Sequence, residues 1–172
     1  MQELIKKLEE LRGKAISEFN LQDWSYISIN QKLSEDFIRE FQDRVIWFLI
    51  SEYQELSEDF IREFHEELDW LLISKYQKLS EEFILEYQDY VFFGISDYWM
   101  NISQYQKLSE NFIRENENKV CWKYIFKYQK LSENFRKEFQ DYENIMFKKI
   151  EFSEELYGKI VDWDTFIKDR KN

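Results

Sequence analysis

The chain has 172 residues, of which 44% are hydrophobic, 19% are aromatic and 34% are charged, and its formal net charge is −11 at pH 7. So many aromatic residues exclude a disordered chain or a simple coiled coil and predict a packed core. The acidic balance disfavours direct contact with nucleic acid or an anionic membrane and suits a protein partner with a basic surface, although solubility alone also explains it.

The glycine, proline and cysteine content limits the possible fold classes and cellular compartments. The chain has no proline, three glycines and one cysteine, Cys121. Helices joined by tight turns fit this composition better than a sheet with glycine-rich loops. A single cysteine cannot form an intramolecular disulfide, which favours a reducing compartment. With no apolar run of about 18 residues and no apolar segment at the start, the sequence predicts a soluble cytoplasmic protein without a membrane span.

Residues 1–22 form the first predicted element, an amphipathic segment without the motif that the rest of the chain repeats. Its apolar residues Leu4, Leu8 and Leu11 lie at helical spacing. Terminal segments of repeat arrays commonly cover the open end of the stack. We therefore predict an N-terminal cap here.

Residues 33–41 are the stretch that organises the chain. Their Leu-Ser start returns at four later positions, namely Leu56, Leu79, Leu108 and Leu131. Ser34 is suited to cap the first turn of a helix, and Phe37 and Ile38 begin an apolar stripe along it. A short fixed period of this kind is typical of stacked helical repeats. In each repeat, the helix predicted from this stretch is named helix A.

A tryptophan opens a second segment in each repeat. The tryptophans in this phase are Trp24, Trp47, Trp70, Trp99 and Trp122. Residues 70–77 show helical spacing, which predicts a second helix, helix B, capped by Asp69. We expect structural roles for the tyrosine column, with Tyr76 on the buried face, and for the glutamine column, with Gln77 satisfying backbone groups at the turn into helix A. A ligand-binding aromatic box is the alternative.

The two helices make an αα-hairpin of about 23 residues, because very short links force neighbouring helices to fold back on each other. One such hairpin cannot bury its own apolar face, so hairpins must stack. The sequence therefore predicts an all-α solenoid of stacked short αα-hairpins in a single domain. Regular repeats are predicted over residues 23–143, and a degenerate C-terminal repeat or cap over residues 144–172. Asn116 replaces an aromatic residue in the fourth repeat, where we expect helix A to fray early.

The third repeat is longer than the others, since Leu108 follows Leu79 by 29 residues instead of 23. Either helix A runs on into a longer helix B, or a loop bulges within the insertion near residues 92–97. Insertions in repeat arrays often mark a binding site. The candidate partner-binding residues here are Leu85, which stands in a column of arginines, and the aromatic residues Phe92, Phe93 and Tyr98. A tolerated insertion that places these aromatic residues in the core is the open alternative.

Glutamates recur at fixed positions of helix A and would form lines of negative charge in a stack. Glu40, Glu63 and Glu86 belong to one such column and are candidates for contact with a basic partner. Such a line can also imitate nucleic-acid phosphates and block a basic channel. However, Arg39 and Arg62 lie near these acids, which favours ordinary exposed ion pairs.

Residues that commonly carry catalysis are scarce. His65 is the only histidine, and it lacks the second histidine that a zinc-protease helix requires. Cys121 has no histidine near it in its repeat to act as a base. Three scattered glycines cannot form a phosphate-binding loop. The sequence therefore predicts no enzymatic activity, no metal site and no cofactor.

The pattern Trp-x-x-Ile-Ser-x-Tyr-Gln-Lys-Leu-Ser-Glu-x-Phe-Ile-Arg-Glu-Phe, found most completely in residues 70–87, resembles short tandem repeats in proteins of giant viruses, phages and related mobile elements. The resemblance covers residues 23–143 and implies a fold and an origin rather than an activity. With it, we expect a non-catalytic protein that binds another macromolecule, as an inhibitor of a host defence protein in the host cytoplasm. The alternatives are an acidic nucleic-acid mimic and a purely structural scaffold.

Overall fold

The computed structural model of the chain describes residues 1–88 and 95–144, without the side chains of residues 95–97. Phe92, Phe93 and nearly all of the predicted C-terminal cap lie outside the described residues. Every regular element within the described ranges is a helix, so the predicted all-α fold is confirmed. Backbone contacts group the chain into two compact units, Met1–Lys107 and Leu108–Asn172, and each is described by itself.

Short helices alternate regularly along both units. The α-helices with defined ends are α1 (Gln2–Arg12), α2 (Leu21–Asn30), α3 (Glu35–Glu40), α4 (Trp47–Tyr53), α5 (Glu58–Glu63), α6 (Trp70–Tyr76), α7 (Glu81–Glu86), α8 (Ile95–Tyr105), α9 (Glu110–Glu115), α10 (Trp122–Tyr128) and α11 (Glu133–Glu138). A 3₁₀ helix, Ile16–Glu18, follows α1. Helix A corresponds to α3, α5, α7, α9 and α11, and helix B to α2, α4, α6, α8 and α10. This alternation is that of the predicted solenoid of αα-hairpins.

A serine hydroxyl starts each helix A. Ser34 Oγ accepts a hydrogen bond from the backbone N–H of Phe37 at 3.2 Å, and equivalent contacts of 3.1–3.2 Å begin the other four. The predicted N-caps are therefore confirmed. The expected early fraying in the fourth repeat is wrong, because α9 has six residues like α3. The Asn116 side chain donates to the Phe112 carbonyl, which satisfies the helix end.

Helix B has seven residues in α4, α6 and α10, each of which begins at its tryptophan. Asp69 Oδ1 accepts from the N–H groups of Leu71 and Leu72 at 3.0 and 3.1 Å, which confirms it as an N-cap. In the third repeat α8 has eleven residues, while α7 ends at Glu86 as the other helices A end. Part of the insertion therefore lengthens helix B, and helix A does not run on into it.

The core lies between helices A and B. Each helix A in the first unit contributes a fully buried Phe-Ile pair, such as Phe37 and Ile38. The tryptophan of helix B packs on rings of the next helix A, as Trp47 does with ring centroids 6.4 Å from Phe60 and 4.9 Å from Phe64. Burial of these large rings supplies the apolar contact that one hairpin cannot make alone.

A buried glutamine at the end of α4, α6 and α8 connects each of these helices to the repeat before it. Gln77 Nε2 donates to the carbonyl oxygens of Ser51 and Gln54, at 3.1 and 2.8 Å. Its Oε1 accepts from the backbone N–H of Leu56 at 3.0 Å. Gln54 and Gln106 make the same three contacts with their preceding repeats. We call these three residues the glutamine ladder, which serves the turn of the preceding repeat rather than its own.

A buried carboxylate joins the N-terminal cap to the first helix B. Asp23, at the start of α2, is 2% exposed and pairs with Arg12 at 2.7 Å and Lys14 at 2.5 Å. It also accepts from the N–H of Asn20 at 2.9 Å, which completes a capping box. Gly13 ends α1 with a φ of 67°, a left-handed conformation that glycine adopts without strain. Residues predicted as a cap thus pack on the first repeat.

Replacing Gln77 by alanine should destabilise the protein strongly. The change leaves one buried N–H and two carbonyl groups without their partner, and each such group costs about 1–3 kcal/mol. We expect the free energy of unfolding, from urea denaturation, to fall by at least about 2 kcal/mol. The control Gln42→Ala, at an exposed glutamine, should stay within about 0.5 kcal/mol of wild type. Equal losses in the two variants would contradict the role of the ladder.

Asp23 should make stability depend on pH in acid. Hydrogen bonds from Lys14, the Asn20 N–H and Arg12 hold the pKa of its carboxyl well below its usual range. The folded state keeps Asp23 charged where the unfolded chain, with a carboxyl pKa of about 3.9, takes up a proton. Stability therefore falls as the pH drops below that value.

In Asp23→Asn, unfolding should take up about one proton fewer between about pH 4 and pH 2, which flattens the pH dependence of the urea midpoint. The control is Asp43→Asn, at an exposed carboxyl, which should keep the wild-type slope. An unchanged slope in Asp23→Asn would show that this carboxyl does not control acid stability.

Candidate functional site

Helices B of the first unit form one continuous surface. In chain order, α2, α4, α6 and α8 pack side by side, and the glutamine ladder is buried between them. We call their exposed side the helix-B face. Its exposed apolar and aromatic side chains, each 38–53% exposed, are Tyr26, Ile29, Phe48, Tyr53, Leu71, Tyr76 and Tyr105.

The tyrosine column lies outside the core, so the predicted burial of these side chains is wrong. In α6, Ile73, Ser74 and the adjoining Gln77 are buried, whereas Tyr76 is 44% exposed. At 3.6 residues per turn, Tyr76 lies about 100° from the centre of the arc formed by these three residues. The spacing correctly predicted a helix but assigned one side chain too many to its buried face. A helical projection centred on the isoleucine and glutamine could have found the exposed column.

Cationic side chains of the chain itself lie over rings of the helix-B face. Arg12 lies 4.7 Å from the ring centroid of Tyr26. Lys75 Nζ lies 4.7 Å from the centroid of Tyr76 and 5.5 Å from that of Tyr105. The ring quadrupole attracts cations at these distances. The face thus holds both a guanidinium and an ammonium group.

The electrostatics around Lys75 favour its charged form. A hydrogen bond with Tyr76 raises the pKa of Lys75 above its usual value, and the charge of Glu52 acts in the same direction. The second unit repeats the motif, since Lys127 lies 5.1 Å from the ring centroid of the exposed Tyr128. The pairing of a tyrosine with a lysine one residue before it is therefore a recurring feature of helix B.

Helices A carry ion pairs between successive repeats. Arg39 donates to Glu63 at 2.8 Å, and Arg62 donates to Glu86 at 2.8–3.1 Å. Two of the three candidate glutamates are therefore engaged within the chain. Glu40 is exposed and belongs to none of the ion pairs of the described residues. Exposed pairs contribute only about 0.2–1 kcal/mol each, but they neutralise part of the acidic column.

Another column of glutamates, at the first residue of each helix A, includes Glu35 and Glu110 and caps the next repeat. Glu35 Oε1 accepts from the backbone N–H of Ser57 at 2.7 Å. In the second unit Glu110 does the same for Ser132, and this hydrogen bond lowers the pKa of Glu110. The carboxylate thereby satisfies the N–H of an N-cap residue whose hydroxyl already starts a helix. This column is structural.

The candidate residues near the insertion lie in different environments. Leu85 is exposed on α7, one repeat after Arg62 in the same column. Tyr98 is fully buried, its hydroxyl donates to the Ile84 carbonyl at 3.1 Å, and burial raises its pKa above the usual range. The assignment of Tyr98 to a contact surface is therefore wrong, because its ring fills the core. Phe92 and Phe93 lie outside the described residues.

Reactive and metal-binding groups are sparse in the part of the chain that the structure describes. There, no group of three or more His, Cys, Asp and Glu side chains is placed to hold a metal ion. His65 Nδ1 lies 2.9 Å from the Arg62 carbonyl oxygen, and the partly exposed Cys121 stands at the start of α10. No helix within residues 1–88 and 95–144 is long and apolar enough to cross a bilayer. The prominent features are the two surfaces, one acidic and one aromatic.

No protein-family model, curated protein or solved structure matches the chain. The resemblance to repeats of giant viruses, phages and mobile elements therefore stays a prediction from the sequence pattern. Function has to be inferred from the residues of the two surfaces.

Nitration with tetranitromethane should distinguish the face from the core. Tyr53, Tyr76 and Tyr105 are 44–48% exposed, whereas Tyr98 is fully buried. We expect Tyr98 to react at least about tenfold more slowly than the others, because its reaction requires local opening. Peptide mass spectrometry measures each site, and protein unfolded in urea, where all four should react alike, is the control. Equal rates in the folded protein would contradict the burial of Tyr98.

Proposed function

We propose that the chain is a non-catalytic helical-repeat protein that binds another protein through the helix-B face. The observation that carries this proposal is the row of exposed tyrosines, Tyr53, Tyr76 and Tyr105, at one position of successive helices. Aromatic side chains with a polar tip are enriched at interfaces because they bury much area at little cost in conformational entropy. Contiguous exposed apolar groups mark interaction surfaces in many proteins.

The helix-B face is preorganised for binding. Its helices are tied together by the buried glutamine ladder, with hydrogen bonds of 2.6–3.1 Å between repeats. A partner therefore meets rings that are held on rigid elements, and little backbone ordering opposes association.

A protein with a basic surface is the partner that fits the charge. The net charge of −11 attracts cationic surfaces and speeds their association. The rings of the face already hold Arg12 and Lys75, so they suit the arginines and lysines of a partner. A host defence protein, expected from the resemblance to viral and mobile-element repeats, is one partner of this kind.

The acidic nucleic-acid mimic is the alternative function, and the helices A would form its surface. Arg39 and Arg62 interrupt the line of carboxylates by pairing with Glu63 and Glu86, which favours the protein-binding proposal. A purely structural scaffold would leave the exposed rings without a partner, where they would be a liability for aggregation.

The test compares two variants in pull-downs from a lysate of the native host. The double variant Leu71→Ser/Tyr76→Ser removes exposed side chains of the helix-B face, and Leu85→Arg changes an exposed residue of α7. A protein retained by wild type should bind the double variant at least about tenfold more weakly, because interface hot spots contribute about 2 kcal/mol or more. It should bind Leu85→Arg as it binds wild type.

Calorimetry with the purified partner gives the affinities, and thermal unfolding of each variant shows that the fold is intact. Equal affinity for wild type and the double variant would refute the helix-B face as the interface. Loss of binding in Leu85→Arg alone would place the interface beside the insertion. Capture of a nucleic-acid-binding protein that DNA displaces equally from all variants would favour the mimic.

A further inference from the structure

Within the helix-B face, α4 alone carries a carboxylate directly before its exposed tyrosine. Helix B carries lysine before the tyrosine at Lys75-Tyr76 and Lys127-Tyr128, but α4 carries Glu52-Tyr53. The first exposed position of α4, four residues before the glutamate, is Phe48, which is 53% exposed. An exposed aromatic ring and a carboxylate thus lie one turn apart on the same helix. Among the described repeats, α4 alone combines them.

The side chains of this group have few partners within the described residues. Neither Phe48 nor Tyr53 belongs to any of the ring-ring or cation-ring pairs found there. Glu52 belongs to none of the ion pairs found there, although its charge contributes to the raised pKa of Lys75 on the next helix B. The group is therefore available to a cation from outside the chain.

The chain shows three times how a ring and a carboxylate on one helix bind an arginine together, in each case with a buried ring. Arg39 lies 5.0 Å from the ring centroid of Phe60 and donates to Glu63, three residues later on the same helix, at 2.8 Å. Arg62 and Arg114 repeat this arrangement with centroid distances of 4.9 and 5.0 Å. A guanidinium can stack on a ring and donate to a carboxylate at once, because it is planar and carries several N–H donors.

We propose that Phe48, Glu52 and Tyr53 form a subsite for an arginine side chain of the protein partner. The guanidinium stacks on the ring of Phe48 and donates hydrogen bonds to the Glu52 carboxylate one turn along the helix, and Tyr53 follows Glu52 in the sequence. This inference rests on the proposed function, since it gives the helix-B face a specific contact. It also makes α4 the part of the face that selects a basic partner.

The probe is an acetylated and amidated hexa-arginine peptide, titrated into the full chain by NMR and calorimetry. Saturable shifts should appear at the ring signals of Phe48 and Tyr53. Glu52→Gln and Phe48→Ser should each weaken binding about fivefold, as expected for one exposed ion pair or one cation–π contact. Hexa-lysine should bind more weakly than hexa-arginine, because its ammonium groups cannot stack.

Glu40→Gln is the matched control, because it makes the same charge change at an exposed glutamate of α3. It should weaken hexa-arginine binding less than about twofold, as expected for an exposed charge on another helix that salt screens. Equal weakening by Glu40→Gln and Glu52→Gln, or no shift at Phe48, would overturn the subsite. Equal binding of hexa-lysine would overturn the assignment to arginine.

The outcomes separate this inference from the proposed function. If Leu71→Ser/Tyr76→Ser weakens binding of the natural partner while Glu52→Gln leaves it unchanged, the helix-B face is the interface and the arginine subsite is refuted. If Glu52→Gln weakens hexa-arginine binding but the natural partner binds Leu71→Ser/Tyr76→Ser as tightly as wild type, the subsite stands and the wider face is refuted.

Discussion

In the first unit Gln54, Gln77 and Gln106 each donate two hydrogen bonds to the repeat before them and accept a third from it, and the stack of repeats depends on these contacts. Helices of six or seven residues are too short to be stable alone in water. The turns between them carry backbone N–H and C=O groups that need partners once the next repeat covers them. Gln54, Gln77 and Gln106 supply those partners from side chains. The backbone groups of each turn therefore gain their hydrogen-bond partners at the same time as the next repeat stacks.

The glutamine contacts between repeats are buried, so insertions and substitutions elsewhere in a repeat leave them intact. Gln106 follows Gln77 by 29 residues rather than 23, yet its hydrogen bonds to the preceding repeat remain 2.8–3.1 Å long. The longer α8 absorbs part of the difference. Exposed positions can then change chemistry from repeat to repeat, as at Glu52 and Lys75, without cost to the ladder.

The hairpin divides its surface chemistry between its two helices. Helix A presents carboxylates, but Arg39 and Arg62 bind them across repeats, so much of that charge serves the fold. In the first unit, helix B presents exposed aromatic rings, and cationic side chains lie over three of them, Tyr26, Tyr76 and Tyr105. A rigid aromatic surface on an acidic protein suits a basic protein better than it suits nucleic acid. This division is the physical basis of the proposed function.

The sequence by itself determined the repeat, the serine and aspartate caps, the all-α class and the Phe-Ile core pairs, because capping and helical periodicity act within a few residues. It also indicated the nearness of Arg39 and Arg62 to the glutamates. Only the tertiary structure decided that Gln77 serves the preceding turn, that Tyr98 is buried and that the tyrosine column is exposed. Those outcomes depend on which neighbouring helix covers each side, and side chains about one repeat apart meet only after the hairpins stack.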